Sequence, residues 1–77
     1  MEYNELRSEV LKLAKERPSF IRKGQFVFNY IDEKYGVARE VQFVDGVDCF
    51  HDDSQIESFL VRSLEKINRN QHEEKEE

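Results

Sequence analysis

Between Pro18, the only proline in the chain, and Gly36 lies the stretch that most limits how these residues can fold. Ser19 to about Tyr35 reads as one helix with Ser19 as its N-cap, and it is apolar over more than one face. Phe20, Gly24, Val27, Phe28, Ile31 and Tyr35 share a stripe at three- and four-residue steps. Phe26 and Tyr30, four apart, widen it. Gln25, Asn29 and Asp32 or Glu33 form the polar edge. A helix this apolar needs cover on two sides, so it is expected at the centre of the fold. Gly24 inside it costs roughly 1 kcal/mol against alanine. That cost is explained either by a later helix start or by close approach of another helix. Gly36 suits the left-handed residue that ends a helix.

The flanking segments supply the cover. Glu2 to Arg17 reads as a first helix, with Tyr3, Leu6, Val10, Leu13 and Ala14 as its apolar stripe. Glu2 and Glu5 near its start, and Lys15 and Arg17 near its end, match the helix dipole. Pro18 terminates it by pushing the preceding residue out of the α region. Asp52 or Asp53 caps a last helix, Ser54 to about Arg69, with Ile56, Phe59, Leu60, Leu64 and Ile67 facing inward. With Asp52 as the cap, Gln55 falls at the capping-box position. Glu65 and Arg69 stand at a favourable i,i+4 spacing. Between the second and last helices, Val37–Val44 fits a short helix. A hairpin through Asp45-Gly46 is the competing reading, because that dipeptide suits a type I′ turn. The short helix is preferred, since a hairpin would set Phe43 against Asp48. The expected fold is all-α: a small three-helix bundle with a short extra helix, or hairpin, between helices 2 and 3. Residues 1–69 form a single domain and 70–77 an acidic tail, expected to be a frayed helix end or disordered.

Composition narrows the function. A chain of 77 residues is short enough for one domain, and nine aromatic residues, six of them Phe, can fill a compact core. The net charge is −5; residues 70–77 hold four Glu and one Lys, which leaves −2 for the rest. An acidic balance argues against nucleic acid or an anionic membrane as partner. No segment approaches the roughly 20 apolar residues of a membrane span. One cysteine makes no internal disulfide, so a reducing, cytoplasmic setting is expected.

Phe43–Gln55, FVDGVDCFHDDSQ, concentrates the chemistry. It holds the only cysteine, one of two histidines and four aspartates. Asp45, Asp48, Cys49, His51, Asp52 and Asp53 all carry metal-ligand side chains, but paired Cys or His at zinc spacings and the calcium-loop pattern are both absent. Cys49 and His51, two apart, share no helix face, and nothing orients His51 for nucleophilic catalysis. Asp52–Asp53 as an acid–base pair lacks a cleft. The architectural reading is preferred: Asp45-Gly46 turns the chain, Cys49 and Phe50 pack inward, and an aspartate caps the helix. Gly46, His51, Asp52 and Asp53 are thus assigned to a structural junction. His72 is expected in solvent. Arg17, Arg22 and Lys23, with Phe20 and Phe26 nearby, form a small basic patch of the kind that can touch nucleic acid; three charges are few and Glu16 sits among them, so a solvated junction between helices is preferred.

At RKGQFVFNYI (Arg22–Ile31) and VDCFHDDSQIESFL (Val47–Leu60) the chain resembles a family of small uncharacterised proteins from bacteria and phage-like elements. That family carries an Arg-x-Gly-Gln-x-x-x-Asn helix, matched here by Arg22, Gly24, Gln25 and Asn29. Its last helix opens on an Asp-Pro-Phe-Tyr/His-Asp-Asp segment, matched by Asp48, Phe50, His51, Asp52 and Asp53, with Cys49 in place of the proline. The resemblance spans Pro18 to Leu60 and implies no activity. It implies a helix rather than a hairpin at Val37–Val44, and a buried hydrogen-bond network joining Gln25 and Asn29 to Asp52–Asp53.

The expected function is non-catalytic. It is binding of another protein, or of a second copy as a homodimer, through Phe26, Tyr30, Gln25 and Asn29, without cofactor or metal. The alternatives are an acidic mimic of nucleic acid, below it a metal site at Asp48, His51, Asp52 and Asp53, and below both a nucleic-acid contact at the basic patch of Arg17, Arg22 and Lys23.

Overall fold

The computed structural model describes residues 1–76, with side chains through Gln71. Among these residues the chain forms helices α1 (Tyr3–Ala14), α2 (Lys23–Tyr35), α3 (Ala38–Phe43) and α4 (Ile56–Glu76), and no strand. A single 3-10 turn, Asp53–Gln55, leads into α4. This is the all-α arrangement expected: three main helices and a short one between the second and the last.

α2 is central, touching α1, α3, α4 and the 3-10 turn. Its Val27, Phe28 and Ile31 meet Leu6 and Val10 of α1, Ala38 and Val41 of α3, and Phe59, Leu60 and Ile67 of α4 in one buried core. The Phe28 ring meets Phe50 edge-on at 5.4 Å and Phe59 at 5.6 Å. Each such aromatic pair adds about 0.5–1.5 kcal/mol beyond its burial. No helix among the described residues is long and apolar enough to cross a membrane.

Several boundaries differ from the sequence reading, each for a physical reason. α1 stops at Ala14, not Arg17. Ahead of Pro18 the turn tightens, so Glu16 and Arg17 donate to Leu13 and Ala14, three residues back. The Arg17 guanidinium covers the end, donating to the carbonyls of Ala14 and Ile21 at 2.8 Å. Leu13 is off the buried stripe, at 39% exposure.

Ser19 caps nothing. Ile21 donates to the Pro18 carbonyl in a turn, and α2 begins at Lys23 with Arg22 as its N-cap residue. Phe20 is therefore outside the helix and 84% exposed, not on its buried face. Gly36 ends α2 with φ 70°, its N–H shared between the carbonyls of Ile31 and Asp32.

Residues 38–43 are helical, which removes the hairpin. Gly46, at φ 73°, turns the chain so that Val47 N–H donates to Val41 O at 3.2 Å. α4 continues to Glu76, past the expected end near Arg69, so the segment read as a tail begins as helix. The His72 reading falls on a side chain outside those described. Arg69 reaches Glu40 of α3 at 3.4 Å instead of Glu65. Lys66, only 8% exposed, lies 3.2 Å from Asp45 and 3.7 Å from Glu40. That buried ammonium fastens α3 and its following loop to α4. Three residues earlier on α4, the Ser63 hydroxyl is buried with no hydrogen-bond partner among the described residues.

Candidate functional site

The 48–55 junction is built from three aspartates with three different duties. Asp48 folds the loop: its carboxylate accepts from Phe50 N–H at 2.9 Å and from His51 Nδ1 at 2.7 Å. Asp52 caps the helix it precedes, accepting from the Ser54 N–H at 3.0 Å and the Ser54 hydroxyl at 2.6 Å. Asp53 caps a different helix. Its Oδ1 accepts from the Gly24 N–H at 3.0 Å, satisfying an otherwise free donor in the first turn of α2 from 29 residues away. Its negative charge also suits the positive end of that helix. Arg22 braces the same corner, donating to the Phe50 carbonyl and lying 3.4 Å from Asp53. Gln55, expected at the capping-box position, turns outward to Asp52 Oδ2 and accepts from Asp48 N–H at 3.1 Å.

Gly24 is the receiving surface. A Cβ there would run into the Cys49 carbonyl oxygen and stand 2.6 Å from Asp53 Oδ1. Both explanations for Gly24 apply, except that the close neighbour is a loop and not a helix. Cys49 is fully buried, and its thiol donates to the Gly24 carbonyl at 3.3 Å. Burial, with the Asp48 charge adding to it, pushes this thiol up to about 12, so it stays protonated. Gln25 and Asn29 make no side-chain hydrogen bond to Asp52 or Asp53 among the described residues, contrary to the expected network; Arg22 and the Gly24 backbone make those bonds.

On its outer side the junction borders an open cleft of about 380 Å³. Phe28, Phe43 and Phe50 form its apolar walls, with Arg39, Gln42 and His51 around them. Phe43 and the next residue, Val44, are 77% and 74% exposed. His51 is an imidazole oriented by a carboxylate, but no serine, threonine or cysteine lines the cleft to serve as a nucleophile. Burial works to raise the Asp48 carboxyl, and hydrogen bonds from His51 and Gln42 together outweigh it, leaving that group below its usual range. Asp48, His51, Asp52 and Asp53 are not brought together: among the described residues no three His, Cys, Asp or Glu side chains are grouped to hold a metal ion.

The aromatic pair on α2 is partly occupied. Phe26 and Tyr30 are half-buried and stack at 6.2 Å. Gln25 is half-buried and Asn29 exposed. The Tyr30 hydroxyl donates to Glu9 of α1 at 2.6 Å, and Lys34 and Tyr35 reach the same oxygen at 2.7 and 3.0 Å. Burial tends to raise Glu9, but these three donors hold it below the usual carboxylate range. Burial and the shared carboxylate push the Tyr30 phenol up.

A second concavity runs between α1 and the start of α2; the sequence reading caught its Arg17 and Lys23 end but not the α1 cations. It measures about 560 Å³ and is lined by Arg7, Leu11, Lys12, Lys15, Arg17 and Lys23, with no lining carboxylate. Arg7 is neutralised by Glu57 at 2.7 Å. Lys12, Lys15, Arg17 and Lys23 make no ion pair among the described residues. The signal was present: Arg7, Leu11 and Lys15 fall at i, i+4 and i+8, on one strip of α1.

A scan against protein-family models, a search of curated proteins and a search of solved structures each found no match to this chain.

Proposed function

We propose that this chain is a small non-catalytic module that binds another protein through the rim of α3. The observation that supports this is the exposure of Phe43 and Val44 beside the cleft of Phe28 and Phe50. Two adjacent large apolar side chains left in water are costly, and roughly 1.5–3 kcal/mol is regained for each one buried in a contact. The cleft offers a seat for an aromatic or aliphatic anchor, the residue type that dominates protein interfaces. Arg39 on its edge makes no ion pair among the described residues, so an acidic neighbour beside that anchor is favoured. The centre of this surface is Phe43 rather than Phe26 and Tyr30, whose faces are already partly used within the fold. The single buried thiol suits a reducing compartment, and we assign the module to the cytoplasm.

The test replaces Phe43 with a photo-crosslinking phenylalanine analogue in the native host, with Glu33, exposed on α2, as the control position. An adduct is expected at 43 and not at 33. An adduct of twice the chain mass identifies a homodimer, and a different mass a separate partner. No adduct at position 43 ends the proposal.

A further inference from the structure

The groove between α1 and α2 is unrelated to the Phe43 rim, and its chemistry is opposite to the chain's overall charge. Residues 7–23 hold six Lys and Arg against two Glu in a chain of −5; Arg7 and Arg22 are matched by Glu57 and Asp53, which leaves Lys12, Lys15, Arg17 and Lys23 without an ion pair among the described residues. Folding gathers this charge: α1 contributes Lys12 and Lys15, the turn returns Arg17, and the first residue of α2 adds Lys23. Arg17 donates only to neutral carbonyls, so its charge is uncompensated. Like charges held around one concavity repel, and a polyanion relieves that repulsion. The turn between Arg17 and Lys23 also carries Phe20, whose ring is 84% exposed and open to stacking.

A basic groove with an exposed aromatic ring on the turn between two of its cations is a combination that single-stranded nucleic acid uses: phosphates follow the cations and an unpaired base stacks on the ring. Duplex nucleic acid offers no open base face to Phe20. A bilayer surface is better met by a convex face bearing several projecting apolar groups. We infer that this groove is a sequence-tolerant binding site for single-stranded nucleic acid, with Lys12, Lys15, Arg17 and Lys23 on the phosphates and Phe20 stacked on a base. The overall acidity that argued against nucleic acid is an average over a surface on which the charges are segregated.

The experiment is fluorescence anisotropy of a labelled short oligothymidylate with the full chain, begun at low salt and titrated with sodium chloride. Four phosphate contacts give log K against log salt a slope of about −3. The triple variant Lys12→Gln, Lys15→Gln, Lys23→Gln, checked for helicity by circular dichroism, is expected to bring that slope to about −1 and to abolish measurable binding at physiological salt. Phe20→Ser is expected to weaken binding about tenfold with the slope unchanged. Phe43→Ser is expected to bind like the parent chain, which separates this site from the α3 rim. Silence at low salt, or binding that the triple variant retains, overturns the inference. Sedimentation with phosphatidylserine vesicles while the oligonucleotide stays silent overturns it in favour of a membrane surface.

Discussion

The 48–55 junction and the α1 groove are both dense in charge, and they treat it in opposite ways. In the junction each aspartate has a donor: Asp48 holds the loop, Asp52 its own helix, Asp53 the start of α2. In the groove three lysines and Arg17 converge with no carboxylate in its lining; Asp53 and Glu57 stand only beyond its Lys23 end. Charge that is consumed by the backbone does architectural work. Charge gathered and left unpaired adds little to folding, and it is the kind of charge that an outside ligand can use.

That contrast can be broken by substitution. The largest effect is expected at Gly24→Ala, where the new methyl meets the Cys49 carbonyl and Asp53 with no room to yield. A loss of about 3 kcal/mol or more is expected in urea unfolding, which would leave a domain this small close to its folding limit. Gly36→Ala sharpens the point: nothing lies within 4 Å, so only the strain of φ 70° is incurred, about 1–2 kcal/mol.

Acid comes next. Glu9, Asp48, Asp52 and Glu57 sit below their ordinary values of 4.5, 3.8, 3.8 and 4.5. For Asp52 the cause is the Ser54 hydrogen bond, and for Glu57 the bond from Arg7. A carboxyl whose folded value is depressed adds stability above its unfolded value, and that stability is lost as pH falls through the folded one. Urea midpoints are therefore expected to be flat above about pH 5 and to drop below about pH 4. The drop is expected to be smaller than the Gly24→Ala effect, because solvent screens these exposed partners.

The smallest effect is expected in the groove. Lys12→Gln, Lys15→Gln and Lys23→Gln each shift stability by less than about 0.5 kcal/mol, measured by the same urea titration. A large loss from any of them would mean that the groove is architecture too.

Much of the fold was legible because it is local. The apolar stripes of α2 and α4, the stop at Gly36 and the helix at 38–43 follow from neighbours within a few residues. The start of α2 was not legible, because its cap is a carboxylate 29 residues downstream. Ser19 was the best local cap, and the non-local one won. The cap and turn chemistry of the junction's aspartates is local, yet which helix each one serves depends on how the loop returns to Gly24. The groove was only partly legible for a related reason. Lys12 and Lys15 read as the wet face of a helix until the Pro18 turn brings Arg17 and Lys23 alongside.

The element order also has a consequence for synthesis. Leu6 and Val10 of α1 share a core with Phe59 and Leu60 of α4, and Arg7 is matched by Glu57. α1 can pack on α2 once both have emerged, but its apolar side is fully covered only when α4 follows. Through that interval the nascent chain presents Leu6 and Val10 only partly covered, at the moment when chaperones sample emerging polypeptides. Substitutions that leave the finished fold untouched but make this strip stickier would thus be felt in yield before they are felt in melting temperature.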